Sequence, residues 1–108
     1  MRFVPIVLAA LVLSASALAA PNHRPPHYAQ WLCIHKGEGA WNSNTGNGYY
    51  GGLQMDRGFQ KTYGYRLYVT KGTADKWTPL EQMYVAERAW ATRGFWPWPT
   101  TARACGLI

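Results

Sequence analysis

Residues 42–52 read NSNTGNGYYGG, and no α-helix can form across them. Asn44-Thr45-Gly46-Asn47-Gly48 is a dense cluster of turn formers, because glycine and asparagine reach positive φ at little cost. Asn47-Gly48 is a hairpin-turn signal and Tyr49-Tyr50 has strand propensity, so a short β-ribbon or an irregular loop is expected. On both sides the pattern turns helical. Upstream, Tyr28, Trp31, Leu32 and His35 recur at helical spacing. That predicts a helix over 27–36, with Pro26 at its first turn and Gly37 and Gly39 stopping it. Downstream, Leu53, Met55, Phe59 and Tyr63 predict helix over 53–63, closed by Gly64, with Asp56 as N-cap of its second half. Residues 65–77 read as a mixed loop.

Thr78-Pro79-Leu80-Glu81 is the clearest local signal in the chain. It is a capping box with proline at the first helical position. The predicted helix runs from Pro79 to about Arg93, buries Leu80, Met83, Tyr84, Ala86 and Trp90, and ends at Gly94. Phe95-Trp96-Pro97-Trp98-Pro99 is expected to be extended, since two prolines oppose a helix interior. The elements add up to a mainly α (α+β) domain.

The chain has 108 residues, of which 48% are hydrophobic, 15% aromatic and 15% charged, with a net charge of +6. So many aromatics with so little charge exclude a disordered protein. Length allows one small domain, and composition excludes collagen, coiled coil and a multi-span membrane protein. Arg2 followed by the apolar run Val4 to Leu13 and then Ala17-Leu18-Ala19 reads as a signal peptide over 1–19. The apolar run is too short to span a bilayer; an uncleaved anchor is the alternative. Cleavage is placed after Ala19, because cleavage after Ala20 would leave Pro21 first. Residues 20–26 come next as a proline-rich, flexible lead-in, and 27–108 form the domain. An exported monomer with no membrane segment after cleavage is expected.

Cys33 and Cys105 are the only cysteines. An even count in a small exported domain predicts one disulfide. It would close a loop of about 70 residues, for which chain entropy gives about 4 kcal/mol. Free thiols are the alternative. Two cysteines with His23, His27 and His35 match no metal-ligand spacing, so neither metal nor cofactor is expected.

The five carboxylates are Glu38, Asp56, Asp75, Glu81 and Glu87. Glu81 is used as a helix cap. Glu87 sits mid-helix, as a surface charge or a buried partner, and Asp75 lies in a polar loop. Glu38 stands between Gly37 and Gly39, three residues before Trp41 and ahead of the glycine-rich stretch. A carboxyl held among aromatic groups has its pKa raised, as a general acid at neutral pH requires, and the glycines leave room for a ligand. A solvated loop glutamate is the bland alternative.

Glu38-Gly39-Ala40-Trp41-Asn42 resembles the E-S-x-W/F-N opening of soluble lytic transglycosylases. Asn44 to Gln54 is similar to the NTGNGYYGGLQ signature of actinobacterial resuscitation-promoting factors, as are the Gln82 to Arg88 helix, Trp98-Pro99 and Cys105. The resemblance covers roughly residues 28–107. In those factors the glutamate directly follows the first cysteine, whereas here Ile34 to Gly37 intervene and Gly39 replaces the serine. A gapless alignment would put Lys36 at the acid position; the spacing to Trp41 favours Glu38.

The resemblance implies a lysozyme-like fold acting on the β-1,4 bond between N-acetylmuramic acid and N-acetylglucosamine in peptidoglycan. Glu38 would be the catalytic acid/base and the product a 1,6-anhydro sugar. Gln54 would hydrogen-bond a sugar, with Thr45, Asn47, Tyr49 and Trp41 along the cleft; for Thr45 and Asn47 plain turn chemistry competes, and Tyr50 reads as core. Trp77, Trp96 and Trp98 are either stacking platforms or core. A hydrolytic lysozyme using Asp56, or an inactive wall-binding or signalling module, are the competing functions. Expected partners are peptidoglycan glycan strands and other cell-wall hydrolases, at the cell wall or in the medium. The excess positive charge suits an anionic wall. Lysine and arginine are scattered without a basic run, so nucleic acid is not expected.

Overall fold

The protein is described by a computed structural model over residues 21–108, so the predicted signal peptide over 1–19 lies outside the described residues. Ordered packing begins at Pro25, which is buried and whose carbonyl accepts a 3.1 Å bond from the Tyr28 N–H. Among the described residues there are five α-helices: α1 Tyr28–Glu38, α2 Arg57–Tyr63, α3 Tyr65–Lys71, α4 Pro79–Arg93 and α5 Pro99–Ala104, with a 3₁₀ turn Ala74–Lys76 before α4. Among the described residues the only β pairing is two isolated bridges, Asn44 to Tyr50 and Tyr50 to Met55. The 42–52 stretch is therefore the irregular loop rather than the ribbon. Gly46, Gly48 and Gly51 adopt φ of 84°, 87° and 78°, which a strand does not permit.

Several boundaries differ from the sequence reading. α1 starts one residue later and continues through Gly37 to Glu38. Gly37 is tolerated because α5 packs there: a Cβ would lie 2.6 Å from Thr101 Cγ2. The predicted helix over 53–63 begins only at Arg57. Asp56 is indeed its N-cap, with Oδ1 accepting from the Phe59 N–H at 2.7 Å. The preceding Leu53 to Met55 form a turn in which Gln54 has φ +50°. The 65–77 segment is not loop but α3 and the 3₁₀ turn. Phe95 to Trp98 is a turn rather than extended, and Pro99 opens α5 as its first residue.

The core forms around Trp31, Ile34, Leu53, Met83, Val85 and Trp98. Trp98 packs edge-on to Trp31 at 5.1 Å, and its indole N–H donates to the Leu53 carbonyl at 2.7 Å. Trp77 and Trp98 are thus buried, whereas Trp96 is 61% exposed. Tyr50 is core, as expected. The α4 stripe is Met83, Val85, Ala86 and Ala89; Leu80, Tyr84 and Trp90 are only partly buried. Glu87 is a partner, not a surface charge. Its carboxylate accepts from the His27 N–H at 2.8 Å and from the Trp31 indole at 2.9 Å, fixing the start of α1. Cys33 and Cys105 are bonded, joining α1 to the end of α5.

The capping box is present in full. Thr78 Oγ accepts from the Glu81 N–H at 3.1 Å and Glu81 accepts from the Thr78 N–H at 2.8 Å. Glu81 also pairs with Lys71 at 2.9 Å, tying α3 to α4. Thr78→Ala should cost about 1 kcal/mol, or about 4–8 °C in melting temperature. Thermal unfolding followed by circular dichroism checks this, and an unchanged midpoint contradicts the cap.

Candidate active site

Two buried glutamines let a loop without strands hold a fixed shape. Gln60 donates to the Met55 carbonyl at 2.8 Å and accepts from the Ala74 N–H at 2.9 Å. Gln82 accepts from the Gly52 N–H at 2.8 Å and donates to the Trp41 carbonyl at 2.9 Å. Both are fully buried, so these bonds replace the pairing that a sheet would supply. Gly52 is held from the other side as well: His35 Nδ1 lies 3.1 Å from its carbonyl oxygen. The His35 ring stacks on Trp41 at 3.9 Å with 16° between planes.

Gly52 has no space for a side chain. A Cβ would clash with the Trp41 ring and lie 2.7 Å from His35 Nδ1. Because those two rings stack on each other, neither can withdraw freely. Gly52→Ala should therefore destabilise the domain by about 1–3 kcal/mol. A denaturant melt tests it, and a midpoint equal to that of the unaltered protein contradicts the clamp.

The clamped loop ends at Gln54, whose left-handed backbone turns its side chain toward the end of α1. Gln54 Nε2 donates to the Gly51 carbonyl at 3.0 Å and its Oε1 accepts from Asn47 at 3.3 Å. Asn47 also accepts from the Tyr49 N–H at 3.0 Å, an Asx turn. Gly39 matters here. A Cβ at that position would sit 3.3 Å from Gln54 Nε2, so the glycine leaves Gln54 its place beside Glu38.

Glu38 is the last residue of α1, not a loop residue, and is half-buried. Thr101 on α5 donates to its Oε2 at 2.7 Å. Burial pushes the Glu38 carboxyl above the ordinary glutamate value, and the Thr101 hydrogen bond offsets part of that rise. The carboxyl opens onto a cavity of about 210 Å³ walled by Tyr49, Gln54, Pro97, Trp98 and Thr100. Tyr49 is 48% exposed there, as a ring for a ligand to lie against would be.

The structure thus brings Glu38, Gln54 and Tyr49 together. Asn47 reaches this group only through Gln54. Thr45 is exposed on the loop, and Trp41 stacks on His35 rather than lining the cavity. Sequence reasoning misses the wall supplied by Pro97 and Thr100 and the bond from Thr101, whereas Trp98, open there between stacking platform and core, is buried and also lines the cavity. Asp56 lines an adjoining cavity, with Oδ1 engaged by the α2 N-terminus. Among the described residues no group of three histidine, cysteine, aspartate or glutamate side chains could hold a metal ion, and no helix is long and apolar enough to cross a membrane.

Residues 25–101 match the family described as transglycosylase-like domain. Resuscitation-promoting factor Rpf1 of Corynebacterium glutamicum is 38% identical over 99 residues, covering 92% of this chain and 48% of the relative. Resuscitation-promoting factor RpfE of Mycobacterium tuberculosis is 36% identical over 93 residues, 84% of this chain and 51% of the relative. RpfC of the same species is 34% identical over 102 residues, 92% and 69%. The chain therefore spans about half the length of the first two. A mainly helical domain closed by one disulfide, with the match running through Glu38, the loop and the Trp98 wall, leads to one assignment: this chain belongs to the transglycosylase-like domain family.

Proposed function

We propose that this protein is an exported enzyme that cuts the β-1,4 glycan of peptidoglycan as a lytic transglycosylase, with Glu38 as its single acid/base. The observation that carries the reading is one half-buried carboxyl with a raised pKa at the wall of an open, aromatic-sided groove. Protonated Glu38 donates its proton to the glycosidic oxygen as the bond to C1 breaks, leaving an oxocarbenium-like centre. Among the described residues no second carboxylate lines the Glu38 cavity. The muramic acid 6-hydroxyl is then the nucleophile. It attacks C1, its proton passes to the Glu38 carboxylate, and the product is the 1,6-anhydro sugar. Gln54 and Tyr49 hold and stack the glycan; Thr45, Asn47 and Trp41 contribute through the shape of the loop. The 1–19 leader and the cell wall as destination belong to the same proposal, with the domain over 27–108 acting as a monomer.

A hydrolytic route through Asp56 predicts a different result. Asp56 is committed to capping α2, so Asp56→Asn, which keeps a capping oxygen, should retain most of the activity. Turbidity loss of purified cell walls measures it. A hundredfold or greater loss in a folded Asp56→Asn variant would favour the two-carboxylate lysozyme over the anhydro route.

A further inference from the structure

The groove continues past Glu38 into a second section that holds a cation as well as an acid. This cavity, of about 400 Å³, shares Tyr49, Gln54, Pro97 and Trp98 with the Glu38 cavity and adds Phe59 and Arg93. Its volume falls among small-ligand sites, at about 300–1,000 Å³. Tyr49, Phe59 and Trp98 give it three aromatic walls, and among the described residues Arg93 is the one cation that lines it. Arg93 is the last residue of α4, and it makes no ion pair among the described residues. A cation is favoured at a helix C-terminus, but that does not account for its place on the wall of a groove. Gly94, at φ +59°, turns the chain sharply just after it. The Trp98 N–H then bonds the Phe95 carbonyl at 3.0 Å, bringing Pro97 and Trp98 back onto the same wall. Asp56 is the acid on this wall. Its Oδ1 is held by the Phe59 N–H at 2.7 Å, and it does not pair with Arg93.

We infer that Arg93 is a carboxylate-binding residue that selects acidic sugar units in the groove beside Glu38. The inference rests on the peptidoglycan reading above. A guanidinium presents a planar fork of donors that matches a carboxylate, and here it stands unpaired next to rings suited to a sugar face. In peptidoglycan that carboxylate is either the lactyl group of muramic acid or an acid of the peptide attached to it. Neutral glycans of the same linkage lack both, so Arg93 separates wall glycan from chitin-like chains. Because the guanidinium is exposed, the discrimination should be modest, about fivefold in affinity.

Titration calorimetry on the Glu38→Gln protein, which should bind without cutting, tests this. Three ligands of equal length are compared: a muramic-acid-containing glycan with free lactyl carboxylates, the same glycan carrying peptides, and a neutral chitin oligomer. Arg93→Gln should weaken an acidic glycan about fivefold and leave the neutral oligomer unchanged, with Arg93→Lys recovering part of the loss. Loss only with the free lactyl glycan assigns the lactyl group; loss with the peptide-bearing glycan assigns a peptide carboxylate. Equal weakening of acidic and neutral ligands, no weakening of either, or no binding of any ligand overturns the inference. The functional reading fails separately, if Glu38→Gln still releases wall fragments.

Discussion

Glu38→Gln is expected to lower wall-cleaving activity by at least about a hundredfold while leaving the fold intact. The amide keeps the size of the side chain and can still meet the Thr101 hydroxyl, but it cannot deliver a proton to a leaving oxygen. No other carboxylate lines the same cavity among the described residues, so none can substitute. The sign of the stability effect comes from the pKa. Burial raises the folded-state value above the unfolded one, so ionisation costs stability as pH rises through the folded pKa. At neutral pH the uncharged amide should be neutral or slightly stabilising. Activity has the same limb. It should fall as pH rises through the Glu38 pKa, at a higher pH than an ordinary glutamate would give. Turbidity assays across pH, paired with thermal melts, read both effects. A folded Glu38→Gln variant with activity near that of the unaltered protein would show that the proton comes from elsewhere.

Removing the disulfide should have the largest effect on stability. Cys33 and Cys105 are 72 residues apart in sequence, so the bond restrains most of the unfolded domain. Chain entropy puts the contribution at about 4 kcal/mol, within the 2–5 kcal/mol typical of small secreted domains. The bond also pins α5 to α1, and those two helices carry Thr101 and Glu38. Cys33→Ser with Cys105→Ser should therefore drop the melting temperature by at least about 10 °C. Cleavage should weaken before global unfolding, as Thr101 loses its register against Glu38. Scanning calorimetry with and without reductant measures the first effect, and activity at low temperature the second. A shift of less than about 4 °C would mean that the core and the Glu87 anchor alone hold α1 and α5 in place.

The sequence is most legible where local chemistry and tertiary packing agree. Thr78 to Glu81 is a complete capping box, and its helix appears with both reciprocal bonds. Asp56 is readable as a cap for the same reason, although the apolar period draws the expected helix start back to Leu53. Those apolar residues are buried because the turn folds under the loop, not because they are helical. α3 is illegible: it has no side-chain cap at Gly64 and no fully buried residue, so neither start signal nor periodicity marks it. It stands because Gly64 abuts Val85 and Trp77, and because Lys71 pairs with Glu81, contacts remote in sequence. Pro99 reads as a breaker when it is an initiator, a role decided by the helix-compatible residues after it. At the site, Glu38, Gln54 and Tyr49 stand out from motif spacing. Thr101 and Arg93 do not, since only folding brings α5 and the end of α4 to the groove. The buried glutamines are likewise hidden, because a polar residue at a core position shows its role only through its partners.

The most direct test of the account is mass spectrometry of soluble fragments released from purified peptidoglycan. Protein with Glu38 intact is predicted to release disaccharide-peptides ending in 1,6-anhydro-muramic acid, each lighter by one water than the corresponding reducing product, and Glu38→Gln protein none above background. Fragments bearing only reducing ends, or the same anhydro fragments from the Glu38→Gln protein, would contradict a single-carboxyl mechanism centred on Glu38.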